Sequence, residues 1–202
     1  MSSATRILVL RHGQSEWNAR GKWQGQADID LTDLGCEQAR RAADRLGTFD
    51  AVASSDLNRA RITATIIADA LGLGLLEADP RLRETHVGEW EGLTHDDIEK
   101  AWPGYLKDHR RPPGFEADGS IVARVSASFA DLAAMFPGGS LLCIAHAGVL
   151  RVMRRRLGVP DTRIANLGGC EFTVRAGDGG AADITAGNIV DLFEHGEIGE
   201  EL

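Results

Sequence analysis

Ile7, Leu8, Val9 and Leu10 form an unbroken apolar run, and Arg11-His12-Gly13 follows it without an intervening turn. A short continuous apolar run of this kind reads as a strand buried on both faces, the pattern of a parallel sheet covered by helices. The change from apolar to Arg-His-Gly falls at the carboxyl end of that strand, where open α/β sheets hold their ligands. Arginine offers a planar fork suited to phosphate or carboxylate, and imidazole offers a nucleophile or base near neutral pH. Glycine lets backbone come close. The stretch therefore predicts both an architecture and the edge of the sheet on which the chemistry sits.

The rest of the chain repeats the alternation of strand and helix. Thr32 is placed to cap a helix whose inner positions are Ala39, Ala42, Ala43 and Leu46, with Gly47 at its end. Phe49–Ser54 reads as a short strand, and Ser55 or Asp56 can cap a second helix with inner face Ala60, Ala64, Ile67 and Leu71, closed by Gly72. Arg59 falls in the first turn of that helix, on the same sheet edge as Arg11 and His12. A short strand is expected around Leu75-Leu76-Glu77. Residues 79–93 are polar and glycine-punctuated, which predicts a long functional connection. Thr94-His95-Asp96-Asp97 has capping-box spacing. Val122, Val125, Phe129, Leu132, Ala133 and Phe136 make a helical core stripe, and Leu141–Ala145 is the clearest buried strand. It ends at His146-Ala147-Gly148, a second imidazole at a strand end ahead of a helix. Glu171–Arg175 and Ala182–Gly187 read as edge strands of a hairpin across Gly177–Gly180, and the acidic tail from Glu194, with His195, reads as frayed. The expected fold is α/β, a three-layer sandwich with a mostly parallel central sheet flanked by helices.

Composition narrows the function. The chain has 202 residues, 43% hydrophobic and 26% charged, with a formal net charge of −8. That balance fits a globular protein and argues against a general nucleic-acid partner, which would show a basic face. It leaves room for a local cluster of arginines around a phosphate. Cys36, Cys143 and Cys170 are odd in number with no Cys-x-x-Cys spacing, so the expectation is packing residues in a reducing compartment. The apolar run near the N-terminus is too short for a signal peptide or a membrane span. A cytoplasmic protein with no membrane partner is expected; a homodimer is compatible with all of this.

Four blocks carry a family resemblance. Arg11-His12-Gly13 with Glu16, Trp17, Asn18 and Trp23-Gln24-Gly25-Gln26-Ala27-Asp28 resembles the signature of the histidine phosphatase superfamily, which contains the cofactor-dependent phosphoglycerate mutases and many phosphatases. Ser54–Ala64, Arg83-Glu84 with Gly88-x-Trp90, and His146-Ala147-Gly148 resemble its other three motifs, and Ile164–Cys170 a late segment beside the site. The resemblance implies a single domain over 1–202 of the phosphoglycerate mutase-like fold, with an irregular substrate-selecting insertion near 94–120. It implies that His12 takes the phosphoryl group, that Arg11 and Arg59 clamp its oxygens, and that a protonated His146 adds charge. Glu84 would protonate the leaving oxygen, with Glu89 and Glu91 as competing carboxylates. Asn18 and Gln24 would touch phosphate or substrate unless they are turn-stabilising amides. Ala147 would donate its backbone N–H, provided the position does not need the positive φ of the usual glycine. Glu116 can match the carboxylate of a Gly-Glu-Ser pocket motif that this chain writes Phe115-Glu116-Ala117. Arg61, His86, His95 and His109 are read as structural or solvated.

These implications add up to a phosphoric monoester hydrolase working through a phosphohistidine on His12, with the arginines neutralising charge and no metal or cofactor required. Its partner would be a small phosphate ester. Thr85, Val87 and Gly148 stand where the mutase branch usually has Arg, Tyr and Asn. That favours hydrolysis over the alternative, a 2,3-bisphosphoglycerate-dependent mutase. A phospho-ligand binding module without turnover is the second alternative, and the presence of His12, Glu84 and His146 weighs against it. The 81–95 block looks like that of the bacterial broad-specificity phosphatases and their glucosyl-3-phosphoglycerate phosphatase relatives. Glucosyl-3-phosphoglycerate is thus one candidate substrate, beside fructose bisphosphates, ribazole phosphate and other sugar or acid phosphates.

Overall fold

The computed structural model describes residues 3–160, 162–175 and 182–193. Its five strands are β1 (Thr5–Arg11), β2 (Ala51–Ser54), β3 (Ser140–Ala145), β4 (Gly169–Arg175) and β5 (Asp183–Val190), in the spatial order β2-β3-β1-β4-β5. The three that carry the expected motifs, β2, β3 and β1, run parallel. The remaining two are antiparallel: β4 pairs with β1, and β5 with β4. The sheet is therefore mixed, and β4 is an interior strand; only β5 is the edge expected of the hairpin. Glu171–Arg175 reads as an edge because Glu171, Thr173 and Arg175 alternate with apolar residues, yet Phe172 and Val174 pack into the core beside β1. The turn expected at 177–180 and the tail from 194, with His195, lie outside the described residues.

Side chains alternate across the sheet as the pleat requires. Ile7, Val9, Leu141 and Cys143 point to one face and pack with Ile121, Val125, Phe129, Leu150 and Met153 of α4 (Asp118–Met135) and α5 (Ala147–Arg156). Leu10, Leu142, Ile144 and Val52 point to the other and pack with Ala39, Ala42, Ala60, Ala64 and Ile67 of α1 (Asp33–Ala43) and α2 (Asn58–Leu71). Helices thus cover both faces, which is why Ile7–Leu10 of β1 and Leu141–Ala145 of β3 are unbroken apolar runs rather than alternating. The alanine-rich faces of α1 and α2 let those helices lie close to the strands.

Local capping follows the sequence in part. Thr32 Oγ1 accepts from Gly35 N at the start of α1, and Thr94 with Asp97 forms the capping box of α3 (His95–Ala101). The structure corrects two expectations here. Leu57, not Ser55 or Asp56, precedes α2, because Ser55 is pulled into the strand ladder through its N–H to Ile144 O. Helix α1 stops at Ala43 with Asp44 as its cap, so Gly47 plays no capping part. Leu75 makes a single bridge to Val52 in place of a strand.

The 79–117 connection is more ordered than its composition suggests. It holds short 3-10 turns at Pro80–Leu82 and Gly88–Trp90 as well as α3. Val87, Trp90 and Ile98 form a small core of their own with Trp23, Trp102, Tyr105, Leu106 and Phe115. Trp90 meets Trp23 and Phe115 edge-on, with ring centroids 5.1 and 5.9 Å apart. This aromatic cluster builds a wall above the carboxyl ends of the parallel strands.

Candidate active site

Strand register brings the motifs together. Arg11 of β1 lies opposite Ala145 of β3, and Ser54 of β2 opposite Ile144, so the parallel strands end level with one another. The residues that follow, His12, His146 and the Arg59 turn, therefore emerge on one edge. His12 and Arg59, together with Arg11, Asn18, Gln24, Glu84 and Ala147, line one cavity of about 850 Å³. Of the residues singled out in the sequence as catalytic or phosphate-binding, His146 alone is not part of that lining; it lies fully buried beside His12.

His12 is buried, and its Nδ1 stands 2.6 Å from the Gly13 carbonyl oxygen. A carbonyl can only accept, so Nδ1 carries the proton and Nε2 keeps its lone pair. Burial, followed by the charges of Arg59 and Arg11, holds the imidazole well below its ordinary pKa. A neutral ring with a free Nε2 is what a nucleophile needs. Its backbone is fixed as tightly: Asn166 donates to His12 O at 2.7 Å, and Gly13 N donates to Thr63 Oγ1 at 3.1 Å. A Cβ on Gly13 would meet Gly35 O at 2.5 Å, so the loop packs backbone against backbone on the start of α1.

His146 is fully buried, with its ring centroid 5.2 Å from that of His12. Neither of its ring nitrogens has a hydrogen-bond partner among the described residues. Burial, then Arg59, His12, Arg124 and Arg11, push its pKa well below the ordinary value. This cationic, desolvated setting favours a neutral ring over the protonated one expected from the resemblance. Ala147 begins α5 in helical conformation, so the position has no need of positive φ and alanine serves as well as glycine.

Arg59 is completely buried, and burial draws its pKa down to about 10. It donates through Nη1 to Ala27 O and through Nη2 to Gly25 O, at 2.7 and 2.8 Å, while its Nε has no partner among the described residues. Two carbonyls thus fix the plane of the fork. Arg11 donates through Nη1 to Ile164 O at 3.0 Å, which ties the late 164–168 segment to the site.

Glu84 is held in place by backbone amides. Its Oε1 accepts from Thr85 N at 2.7 Å and its Oε2 from Gly148 N at 3.0 Å. Glu91, one of the competing carboxylates, instead caps the 26–27 turn by accepting from Gln26 N and Ala27 N. Glu89 is exposed and does not line the cavity.

Asn18 and Gln24 both line the cavity, and both meet Ser15. Ser15 Oγ lies 3.0 Å from Asn18 Oδ1 and 2.9 Å from Gln24 Oε1, and Ser15 N donates to Asn18 Oδ1 at 3.2 Å, so both amide side chains are anchored on Ser15. Ser15 itself is fully buried. It sits inside the recognised signature, but nothing in its type announces an orienting role.

Sequence reasoning missed three other features. Arg124, on α4, donates to the carbonyls of Arg81, Arg83 and Glu84 and pairs through Nε and Nη2 with Glu116. Glu116 also accepts from His86 N at 3.1 Å. Glu116 is therefore not a pocket carboxylate, as the motif match suggested; it is the counter-ion of the arginine that grips the Glu84 loop. Gly148 forms the floor under Glu84, since a Cβ there would overlap Oε1 and lie 2.9 Å from Thr85 Oγ1. His109 has φ +54° and stands at the cavity mouth beside Arg110 and Arg111 rather than away from it.

Two imidazoles, two guanidiniums and a carboxylate, gathered at the carboxyl ends of parallel strands, define an enzyme that handles phosphoryl groups through histidine. The chain belongs to the histidine phosphatase superfamily (branch 1), whose family model matches residues 7–187. It is 37% identical over 169 residues to a glucosyl-3-phosphoglycerate phosphatase from Mycobacterium tuberculosis, covering 76% of this chain and 75% of the relative. It is 35% identical to a metal-independent phosphoserine phosphatase of Arabidopsis thaliana, with coverage of 77% and 70%. A 2,3-bisphosphoglycerate-dependent phosphoglycerate mutase of Methylorubrum extorquens is 37% identical, with coverage of 80% and 84%. The solved native structure of the mycobacterial glucosyl-3-phosphoglycerate phosphatase superposes with a TM-score of 0.75 at 31% identity, over 85% of this chain and 91% of that one. The protein is a phosphoric monoester hydrolase of this superfamily. Among the described residues, no helix is long and apolar enough to cross a membrane.

Proposed function

We propose that His12 is the nucleophile of a metal-independent phosphomonoesterase with a two-step mechanism. Nε2 attacks phosphorus in line with the ester oxygen, forming a P–N bond as the P–O bond breaks. Glu84 delivers its proton to the departing alkoxide. Water then attacks the phosphohistidine, Glu84 takes its proton back, and orthophosphate leaves with His12 restored. Arg11, Arg59, the N–H of His146, the amides of Asn18 and Gln24 and the backbone N–H of Ala147 hold the three equatorial oxygens, where charge accumulates in a loose transition state. Arg59 Nε and the His146 ring, both buried without a partner among the described residues, would gain one in the phosphoryl group.

The observation that carries this reading is the His12 ring itself: a buried, neutral imidazole whose Nδ1 proton is committed to Gly13 O. Glu84 is the acid because it is the carboxylate in the deep wall, half-buried beside the start of α5. The mutase reading has a relative in its favour, yet Thr85 and Val87 are small and buried, and Gly148 leaves no room for a side chain beneath Glu84. Small phosphorylated acids or sugars are the substrate class, with glucosyl-3-phosphoglycerate the first candidate on the strength of the mycobacterial relatives. The chain acts as one domain, its 94–120 segment shaping substrate choice through the aromatic wall. Its three free cysteines fit the reducing cytoplasm.

Orthophosphate release from a panel of esters, with EDTA present and His12→Ala in parallel, tests the reading. The panel holds glucosyl-3-phosphoglycerate, 3-phosphoglycerate, fructose bisphosphates and an aryl phosphate. Release that persists in EDTA and disappears in the variant is the expected result. Isomerisation of 3-phosphoglycerate without release would establish the mutase instead.

A further inference from the structure

Helix α4 carries a polar stripe beside its core stripe. Arg124, Ser128 and Asp131 are spaced by four and three residues, so they share one face of the helix. All three hold the connection that carries Glu84. Asp131 accepts from Arg81 Nη1 at 2.7 Å, and Ser128 donates to Asp79 Oδ2 at 2.7 Å. Arg124 reaches furthest along the connection, donating to Arg81 O, Arg83 O and Glu84 O at 2.7, 2.6 and 3.2 Å. The stripe meets this segment because Ile121, Val125 and Leu82 share one core, which seats the 3-10 turn at Pro80–Leu82 against the helix.

A guanidinium has five N–H donors, and Arg124 commits every one. Nε and Nη2 meet the two oxygens of Glu116 at 2.8 and 3.0 Å, a bidentate fork that fixes the guanidinium plane. The other three donors go to the 81, 83 and 84 carbonyls. Glu116 is fixed in turn. Its N–H donates to His86 O at 2.8 Å, and its Oε2 accepts from His86 N at 3.1 Å. Next to this pair Phe115 bridges Val87, and both of those residues line the cavity. The Glu84 carbonyl also accepts from Gln26 Nε2 at 3.1 Å, so the peptide that carries the carboxylate is held from two sides. One guanidinium thus ties the main chain of Glu84 to the aromatic wall.

We infer that Arg124, oriented by Glu116, is a positioning residue for the general acid: it sets the Glu84 main chain so that the carboxyl reaches the leaving oxygen. The inference rests on the proposed role of Glu84 as that acid. Neither Arg124 nor Glu116 lines the cavity, so what the pair governs is delivery of the proton and not the hold on substrate. Misplacing a reacting group by about 1 Å can cost about 10²-fold in rate. Loss of the fork therefore falls on kcat for esters whose leaving oxygen needs a proton. Binding, and esters whose leaving group departs unaided, are left nearly as they were.

Steady-state phosphate release from an alkyl and an aryl phosphate is measured in Arg124→Lys and in Glu116→Gln. Arg124→Lys keeps the positive charge and replaces the planar fork by a point donor; Glu116→Gln keeps the shape and removes the counter-charge. Each should lower kcat on the alkyl ester about tenfold, with KM within about twofold and the aryl kcat within about threefold of wild type. Urea unfolding shows whether each variant is folded at the assay temperature, and Glu116→Gln carries the test alone if Arg124→Lys is not. The decisive readout is a double-mutant cycle. In the Glu84→Gln background Glu116→Gln should add no further loss on the alkyl ester, because the group it serves is already gone. Equal loss on both esters, a loss confined to KM, an unchanged alkyl kcat, or losses that multiply in full through the cycle each overturn the inference. Glu84→Gln alone separates the two levels of the argument. An alkyl–aryl split there without one in Glu116→Gln overturns the positioning role alone, whereas no split in Glu84→Gln overturns the assignment of the acid and the inference with it.

Discussion

Substituting Gly148 by alanine should separate the acid step from the rest of catalysis. The added Cβ would overlap Glu84 Oε1 and lie 2.9 Å from Thr85 Oγ1 and 3.0 Å from Glu84 Cδ. Of these neighbours the Glu84 carboxyl is the freest to move, since Thr85 is buried and Glu84 only half-buried. The carboxylate therefore swings away and gives up its hydrogen bond from Gly148 N. The helix itself does not suffer, because alanine is the better helix former by about 0.5–1 kcal/mol, which offsets part of the crowding. Stability should stay within about 2 kcal/mol of wild type by urea unfolding. A positioned general acid contributes about 10²–10⁴-fold, so kcat on an alkyl phosphate should fall by about 10², or about 2.7 kcal/mol of barrier. An aryl phosphate whose leaving group needs no proton should lose only about threefold or less, with Glu84→Gln as the benchmark for the same split. Steady-state phosphate release on the two substrate types is the assay. An unchanged alkyl rate, or equal loss on both substrates, would refute the placement of the acid.

Two further outcomes follow from buried charge. Arg124→Leu strips Glu116 of its counter-ion and three carbonyls of their donor at a pair whose side chains are only 18% and 16% exposed. Removing one partner of a buried pair costs about 3–5 kcal/mol, and adding Glu116→Leu should recover part of it; urea unfolding that shows a wild-type single variant would contradict this. The second concerns pH. His12 and His146 are neutral in the folded protein because burial and nearby guanidiniums lower both pKa values, whereas the unfolded chain binds protons near the ordinary 6.5. Below that value the unfolded state holds more protons, so stability falls with falling pH, by up to about 1.4 kcal/mol per pH unit for each ring. Melting temperature should drop from about pH 7 to pH 5, and inorganic phosphate should blunt the drop by bringing negative charge to the rings. A flat profile would mean that the rings already carry protons.

Much of this molecule is written in short-range pattern. Ile7–Leu10 and Leu141–Ala145 disclose buried strands because helices cover both faces, and the residues directly after them must then share an edge. That is enough to unite His12, His146 and Arg59 before any coordinates are known. Less legible are contacts between distant backbones. Arg124 looks like a polar position on the outer side of a core stripe, and only the fold shows the 81–84 carbonyls beside it. Glu116 is illegible for the same reason: its partner, Arg124, lies on the next helix, eight residues away, rather than in the cavity. β4 reads as an edge because alternation cannot distinguish a strand with one covered face from an interior strand beside β1. The lowered pKa of His146 comes from its burial and then from the surrounding cations, neither of which a motif reveals.

The central claim is that the phosphoryl group passes through His12. The direct measurement mixes enzyme with a ³²P-labelled ester for milliseconds and quenches in alkali, where phosphohistidine survives and acyl phosphates do not. Peptide mapping then locates the label. The account predicts an acid-labile label on the peptide carrying Arg11-His12-Gly13, absent from His12→Ala and accumulating when release of the second step is slowed. A label on another residue, or phosphate release by His12→Ala at the wild-type rate, would contradict it.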